Sequence, residues 1–257
     1  MSEISAAPRT QGDALVPVVG AATDVGRSRP VNEDGYLALA PAFVVVDGMG
    51  GHAAGRAATR AALGALAPLA GTAVTDERVI VEAMLAAGEA VTAIPSHAAH
   101  RPGATVAGAV LAHLPDGLTW ITFNIGDSRV YLMRDGVLTQ MSRDHSQVQA
   151  LIDAGELTAD QARRDPRKNV VTRALGAGLN QEAVPDTFTA PALCGDRLLV
   201  CSDGLSDELD DEALATVLGA GMRPQRTAEA AVAAALEAGG HDNATALVVD
   251  LVPESAL

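Results

Sequence analysis

The chain has 257 residues, of which 48% are hydrophobic, so it is long enough to bury a sizeable core. Its 32 acidic residues outnumber 18 basic ones, and the formal net charge of −14 argues against binding to a nucleic-acid backbone. Aromatic residues make up only 2% of the chain, which leaves no series of rings on which bases could stack.

The composition also sets expectations about location and organisation. No apolar run approaches the roughly 20 residues that span a bilayer, and the N-terminus lacks the pattern of a signal peptide. We expect a cytoplasmic monomer without an appended membrane anchor, with a flexible tail at 1–15 and a single domain at 16–252. Cys194 and Cys201 have no metal-binding spacing, so we expect buried free thiols and no zinc.

Hydrophobic periodicity predicts the elements in chain order. Strands are predicted at 16–22, 36–40, 42–46, 104–114, 118–125, 130–133, 137–140, 183–189, 197–201 and 244–251. Helices are predicted at 53–67, at 75–94 with Thr75 as cap, at 210–218 and at 227–238. The polar segment 143–168, with Ser146 and Thr158 as caps, is typical of a surface lid. Antiparallel hairpins and paired helices favour an α+β fold.

The most informative stretch is the one that ends in Asp47. Four apolar residues at 43–46, three of them β-branched, predict a buried strand that carries this carboxylate at its end. Glycines at 48, 50 and 51 remove side chains where the backbone leaves the strand, so a main-chain group can approach anything that binds beside the acid.

Other aspartates also lie at predicted strand ends, namely Asp127, Asp203 and Asp242. If one rim of a sheet sandwich collects these carboxylates, two of them about 5 Å apart repel by roughly 3 kcal/mol at an effective dielectric near 20. An all-oxygen set without histidine or thiolate favours Mg²⁺ or Mn²⁺. Two such ions activate a bridging water and bind both reacting oxygens of a phosphoryl group, which predicts phosphate ester hydrolysis.

Five motifs, in order, resemble those of the metal-dependent type 2C (PPM) serine/threonine protein phosphatases in their compact bacterial form. They lie at 23–34, 47–52, 126–129, 202–205 and 242–245. The resemblance implies a four-layer α-β-β-α sandwich of two antiparallel sheets flanked by helix pairs. It further implies attack of a metal-bridging hydroxide on phosphoserine and phosphothreonine of protein substrates, opposing a Ser/Thr protein kinase.

The resemblance also implies which residues hold the ions. Asp47 would bridge two Mn²⁺ or Mg²⁺ ions, the carbonyl of Gly48 would hold the first, and Asp203 with Asp242 would hold the second. Asp34, with Glu33 as a further candidate, would act largely through ordered water. A third ion is implied at Asp127 together with Asp203.

Further roles concern the substrate. The resemblance implies that Arg29 binds the substrate phosphate and that 143–176 is a variable flap that shapes substrate access. His52 is a candidate general acid, because an unperturbed imidazole titrates near pH ~6.5. A metal-bound water is the alternative acid, and a structural role for His52 stays open, because animal relatives have the histidine at the position of Met49.

Two other classes of function compete with this hypothesis. Residues 48–53 match the dinucleotide pattern G-x-G-x-x-A, but Asp47 would repel a pyrophosphate and no acid lies at 66–72 to bind a ribose. A scaffold that has lost catalysis would be expected to lack metal ligands. Here Asp34, Asp47, Asp203 and Asp242 are all present.

Overall fold

The computed structural model describes residues 14–96, 101–178 and 183–257, and of His52 it describes the backbone only. The strands in this part of the chain are β1 (Leu15–Asp24), β2 (Gly35–Leu39), β3 (Ala42–Met49), β4 (Gly103–Leu114), β5 (Gly117–Ile125), β6 (Arg129–Arg134), β7 (Val137–Gln140), β8 (Leu175–Gly176), β9 (Asp186–Pro191), β10 (Arg197–Cys201) and β11 (Ala244–Pro253). The α-helices are α1 (His52–Leu66), α2 (Arg78–Thr92), α3 (Gln147–Asp153), α4 (Ala159–Ala162), α5 (Asp203–Ser206), α6 (Asp211–Leu218) and α7 (Pro224–Ala238). Short 3-10 turns cover Ala67–Leu69 and Glu254–Ala256.

The strands form two antiparallel sheets. One has the order β1-β11-β10-β6-β7 and the other the order β2-β3-β4-β5-β9, with β8 paired to the start of β4. Both neighbours of β3 run antiparallel to it. A dinucleotide site needs parallel strands joined through a helix, so the glycine pattern after β3 is not such a site.

The sheets and helices stack in four layers. Along β3, Val44 and Val46 belong to the cluster beneath α1 and α2, whereas Phe43 and Val45 belong to the cluster between the sheets. This split arises because successive side chains of a strand point to opposite faces. A third cluster lies between α5, α6, α7 and the five-stranded sheet. The predicted four-layer α-β-β-α sandwich is confirmed.

Two helices begin three residues away from the predicted position. The helix expected from Thr75 begins at Arg78, because Asp76 Oδ1 accepts a hydrogen bond from the Arg78 N–H (3.0 Å) and Thr75 is not the cap. The last helix begins at Pro224 rather than at 227, since proline is well suited to the first helical position, where its missing N–H costs no bond.

One strand is shifted and one was missed. The strand predicted at 183–189 covers Asp186–Pro191, so it begins directly after Pro185 and extends to Pro191 at the edge of the sheet. The strand Leu175–Gly176 has only two residues, too few for a periodic signal.

The segment predicted as a lid is only partly a surface feature. Ser146 and Thr158 cap α3 and α4 as predicted, the latter in a full capping box. Asp144, His145 and Ser146, however, are buried at its start. The segment is therefore anchored at its base.

Two expectations from composition can be checked directly. Both cysteines are free and Cys201 is buried in β10, but Cys194 is exposed in the loop before β10, so its predicted burial is wrong. Within the described ranges, every helix is too short or too polar to cross a membrane.

Candidate active site

Asp47 is the centre of the candidate site. It lies inside β3 rather than at its end, because β3 continues to Met49, and it stands opposite Thr105 of β4. It lines a cavity of roughly 550 Å³. A Cβ on the following Gly48 would lie 2.3 Å from the carbonyl oxygen of Gly55. Glycine at 48 is therefore what lets β3 and α1 approach each other this closely.

Segments from both sheets meet at this cavity. The six-stranded sheet supplies Asp47, and the five-stranded sheet supplies Asp203 just after β10 and Asp242 just before β11. Asp127 lies where the chain crosses from β5 in one sheet to β6 in the other. All four of these aspartates line this one cavity. Among the described residues, no three Asp, Glu, His or Cys side chains are already arranged as a metal cage.

A chain of hydroxyl groups holds Asp34 beside the cavity. Asp34 Oδ2 accepts hydrogen bonds from Thr245 Oγ1 (2.6 Å) and Ser202 Oγ (2.8 Å). Because Thr245 gives its proton to Asp34, Thr23 Oγ1 is the donor in the 2.7 Å contact with Thr245. Asn32 Nδ2 in turn donates to Thr23 Oγ1 (2.8 Å). These bonds fix the orientation of the Asp34 carboxylate.

Asn243 fastens the first polar loop to the start of β11. Its Oδ1 accepts from the Glu33 N–H (2.8 Å), and its Nδ2 donates to the carbonyls of Val25 (2.9 Å) and Val31 (3.0 Å). Sequence reasoning assigned no role to Asn243 or to the hydroxyl groups around Asp34. One sequence feature could have pointed to these residues: several of them stand next to a predicted acid at the end of a buried strand.

Burial and mutual repulsion raise the pKa of several carboxyl groups. Burial, followed by the charge of Asp34, raises the pKa of Asp47 well above its usual value, and burial followed by Asp127 does the same for Asp203. Burial raises the pKa of Asp127 to about 7, and it raises the pKa of Asp34 to about 6 despite the hydroxyl groups that donate to it. Among the described residues, Arg29 is the one cation that lines the cavity.

Four buried carboxylate oxygens have no hydrogen-bond partner among the described residues. They are Glu33 Oε1, Asp34 Oδ1, Asp127 Oδ1 and Asp203 Oδ1. A buried charge is retained only when a partner or a metal compensates it. Because every atom that could bind a metal here is an oxygen, the set fits the hard cations Mg²⁺ and Mn²⁺.

Comparison with known proteins identifies the family. The family model described as "Protein phosphatase 2C" matches residues 31–238 of this chain. The chain belongs to the protein phosphatase 2C family.

Individual relatives agree with this assignment. The chain is 37% identical over 246 residues to the serine/threonine protein phosphatase PstP of Mycobacterium tuberculosis, covering 93% of this chain and 46% of the relative. It is 33% identical to the serine/threonine phosphatase stp of Listeria monocytogenes, covering 89% of this chain and 93% of the relative. The chain thus spans about half the length of PstP.

Solved structures show the same fold. The catalytic domain of PstP, in complex with two manganese ions, aligns with a TM-score of 0.83 at 35% identity and covers 93% of this chain and 100% of that domain. The PPM phosphatase MsPP from Mycobacterium smegmatis, in complex with cacodylate, aligns with a TM-score of 0.79 at 33% identity, covering 91% and 98% of the two chains.

In this member of the protein phosphatase 2C family, Arg29 lies at the cavity but is not isolated. Its Nη2 is 2.6 Å from Asp242 Oδ2, and the hydrogen bond between them raises the pKa of Arg29. The arginine side chain is 51% exposed. Because a guanidinium carries five N–H groups, further donors remain after this pairing.

The predicted general acid cannot be placed. α1 of this protein phosphatase 2C family member begins at His52, directly after the glycines that line the cavity. The side chain of His52 lies outside the described part of the chain, so its role stays a prediction. Met49 lines the cavity.

A second cavity, of roughly 340 Å³, adjoins the first, because Asp127 and Asp203 line both. Its walls come from the predicted flap and from α5 and α6. Across it Lys168 Nζ lies 2.7 Å from Asp207 Oδ2. Sequence reasoning missed this ion pair, since Lys168 belongs to no motif and the two residues are far apart in the chain.

Proposed function

We propose that this chain is a metal-dependent protein phosphatase that hydrolyses phosphoserine and phosphothreonine in proteins, opposing a Ser/Thr protein kinase. The observation that carries the proposal is the convergence of four aspartates at one cavity, with buried carboxylate oxygens that have no partner among the described residues. The family assignment and the two manganese ions in the PstP structure support it.

The residues present fit two Mn²⁺ or Mg²⁺ ions. Those proposed to hold them are Asp47, the carbonyl of Gly48, Asp203 and Asp242, with Asp34 and Glu33 acting through water and Asp127 with Asp203 available to a third ion. When bound, such ions lower the pKa of a water so that it can attack phosphorus, and they neutralise the phosphoryl oxygens.

The chain's own residues bind and orient the substrate. Arg29 is proposed to donate to a phosphoryl oxygen through N–H groups that Asp242 does not occupy. The hydroxyl groups of Thr245 and Ser202 hold one oxygen of Asp34 and leave the other available. The departing serine or threonine oxygen needs a proton, for which His52 and water are the two candidates.

The cellular setting is part of the same proposal. Phosphoproteins are the proposed partners, and the net charge of −14 supports protein rather than nucleic acid. A cytoplasmic monomer with one catalytic domain at 16–252 remains our expectation from the sequence.

A metal-dependence assay tests this function. We expect the purified chain to release phosphate from p-nitrophenyl phosphate and from phosphothreonine peptides when Mn²⁺ is present, to stop when EDTA is added and to resume when excess Mn²⁺ is restored. A phosphotyrosine peptide of the same sequence serves as the substrate control. Turnover that continues in EDTA would contradict the metal requirement, and release from the small ester alone would contradict a protein substrate.

A further inference from the structure

The segment 168–171 of the flap separates the two cavities. Lys168 lines the second cavity, whereas Asn169, Val170 and Val171 line the first. The floor on both sides is shared, because Asp127 and Asp203 line both cavities. This segment is therefore a wall of the candidate active site that comes from the flap rather than from the sheets.

An ion pair links this segment to the helix that carries Asp203. Lys168 Nζ is 2.7 Å from Asp207 Oδ2, with both side chains about one-third exposed (37% and 31%). Asp207 lies one helical turn after Asp203, and its N–H donates to the Asp203 carbonyl (2.7 Å). The position of the wall is thus coupled to the short helix that carries a proposed metal ligand.

The backbone of Val170 is also held in place. Its N–H donates to the Arg167 carbonyl (3.0 Å), and its carbonyl accepts from the Gln147 N–H (2.8 Å). Val171 forms a bridge with Ser146. Even so, Val170 is 46% exposed, on a segment that lines a cavity with a strongly acidic floor. An apolar side chain on a backbone held in that place offers a contact surface to an apolar group of a ligand.

The size of the cavity leaves room for such a group. A cavity of roughly 550 Å³ lies within the range of about 300–1,000 Å³ that holds drug-sized ligands, so it accepts more than a phosphate. If Arg29 and the ions that the carboxylates would hold bind the phosphate, the residues next to the phosphorylated side chain reach the walls of the cavity. Pro30 and Val31 line the same cavity as Val170, so its lining has apolar parts besides the acids.

We propose that Val170 is a specificity-determining residue that contacts an apolar residue adjacent to the phosphoserine or phosphothreonine of a protein substrate, and that Lys168 is a positioning residue which holds Val170 there through Asp207. This inference rests on the proposed function. It adds the substrate class: phosphorylated sites with an apolar immediate neighbour.

The test is a competition between two phosphothreonine peptides that differ only in one neighbour of the phosphothreonine, leucine or the similarly shaped polar asparagine. One pair varies the preceding residue and another the following residue, and the readout is the ratio of the two kcat/KM values with Mn²⁺. We expect wild type to favour leucine by roughly five- to tenfold in at least one pair, as expected for an apolar contact that stays partly open.

Substitutions then assign the preference to particular side chains. Val170→Thr keeps the shape but replaces a methyl group with a hydroxyl group, and we expect it to bring the ratio close to one. Lys168→Met should lower the ratio, whereas Lys168→Arg, which keeps the charge, should preserve it. Val137→Thr is the matched control, because Val137 is 64% exposed on β7, away from the cavity. Circular dichroism checks that each variant folds.

The outcomes separate the two proposals. A wild-type ratio near one in both pairs, or an unchanged ratio in Val170→Thr, overturns the role of Val170. An unchanged ratio in Lys168→Met overturns the role of Lys168. If wild type releases no phosphate from any of the peptides with Mn²⁺, the proposed function itself fails, and the specificity inference fails with it.

Discussion

The two ends of β10 carry aspartates in opposite situations. Asp196, before the strand, is only 1% exposed and is fully paired: its carboxylate accepts from Trp120 Nε1 (3.0 Å), from the Leu193 N–H (2.9 Å) and from Arg134 Nε and Nη2 (2.7 and 2.8 Å). Asp203, after the strand, has a buried oxygen without a partner among the described residues.

The difference separates a structural carboxylate from a functional one. At Asp196 the protein itself supplies the counter-charge of Arg134 and a hydrogen-bond donor to each carboxylate oxygen. At Asp203, burial and then neighbouring acids raise the pKa well above its usual value. For Asp203 to stay ionised, a bound group such as the proposed metal ions has to supply the compensation.

Exchanging Asp203 for asparagine gives the largest expected effect. Asp203→Asn removes a proposed metal-ligand charge while keeping the side-chain shape. We expect Mn²⁺-dependent turnover of p-nitrophenyl phosphate to fall at least about a hundredfold, beyond the range for residues that only support a ligand. Asp116→Asn, at an exposed turn between β4 and β5, is the control and should keep wild-type turnover. Full turnover in Asp203→Asn would remove Asp203 from the ligand set.

The matching change at the other end of β10 should affect stability instead. Asp196→Asn breaks a buried ion pair with Arg134 and leaves donors imperfectly paired, so we expect the free energy of unfolding to fall by about 3 kcal/mol. Urea denaturation measures this loss. The Mn²⁺ concentration that gives half-maximal turnover should match wild type at a temperature where the variant is folded. A shifted metal requirement would show that the two ends are not independent.

Asp127 extends the comparison to pH. Burial raises its pKa to about 7, above the value of about 4 in the unfolded chain, so the metal-free fold loses stability as the pH rises from about 4 to about 7. In chelator, we expect wild type to lose about 2 kcal/mol between pH 5 and pH 7 relative to Asp127→Asn, which cannot ionise. Urea denaturation of both proteins across this range tests it. A difference that does not change with pH would contradict the raised pKa.

The same pair of aspartates explains what the sequence can predict. Asp203 follows a predicted buried strand, so the gathering of acids at strand ends could be inferred from the pattern. It also belongs to one of five motifs in a recognisable order, and the resemblance of these motifs to a known family implied the layered fold. Asp196 follows a glycine in a loop and reads as an ordinary turn residue. Its partners Trp120 and Arg134 are more than 60 residues away in the chain and belong to other strands.

The sequence could not predict the hydrogen bonds of the hydroxyl groups around Asp34 for the same reason. Thr23, Ser202 and Thr245 come from three strands or their ends, and only their register in the folded sheet brings them to one carboxylate. Threonine in a strand is also favoured simply because it is β-branched, so its residue type carries little information about a site. Lys168 and Asp207 likewise meet only through the fold.

Removing one of these hydroxyl groups gives the smallest effect that we expect to measure. Thr245→Val keeps the shape but leaves Asp34 with Ser202 as its remaining hydroxyl donor and removes the acceptor that Thr23 uses. Because the change acts through the orientation of a proposed metal-site carboxylate, we expect turnover to fall about tenfold and the half-saturating Mn²⁺ concentration to rise. Thr245→Ser restores the hydroxyl group and should recover most of both. If Thr245→Val keeps wild-type turnover and the wild-type Mn²⁺ requirement, the hydrogen bond from Thr245 does not matter and Asp34 is held by Ser202 alone.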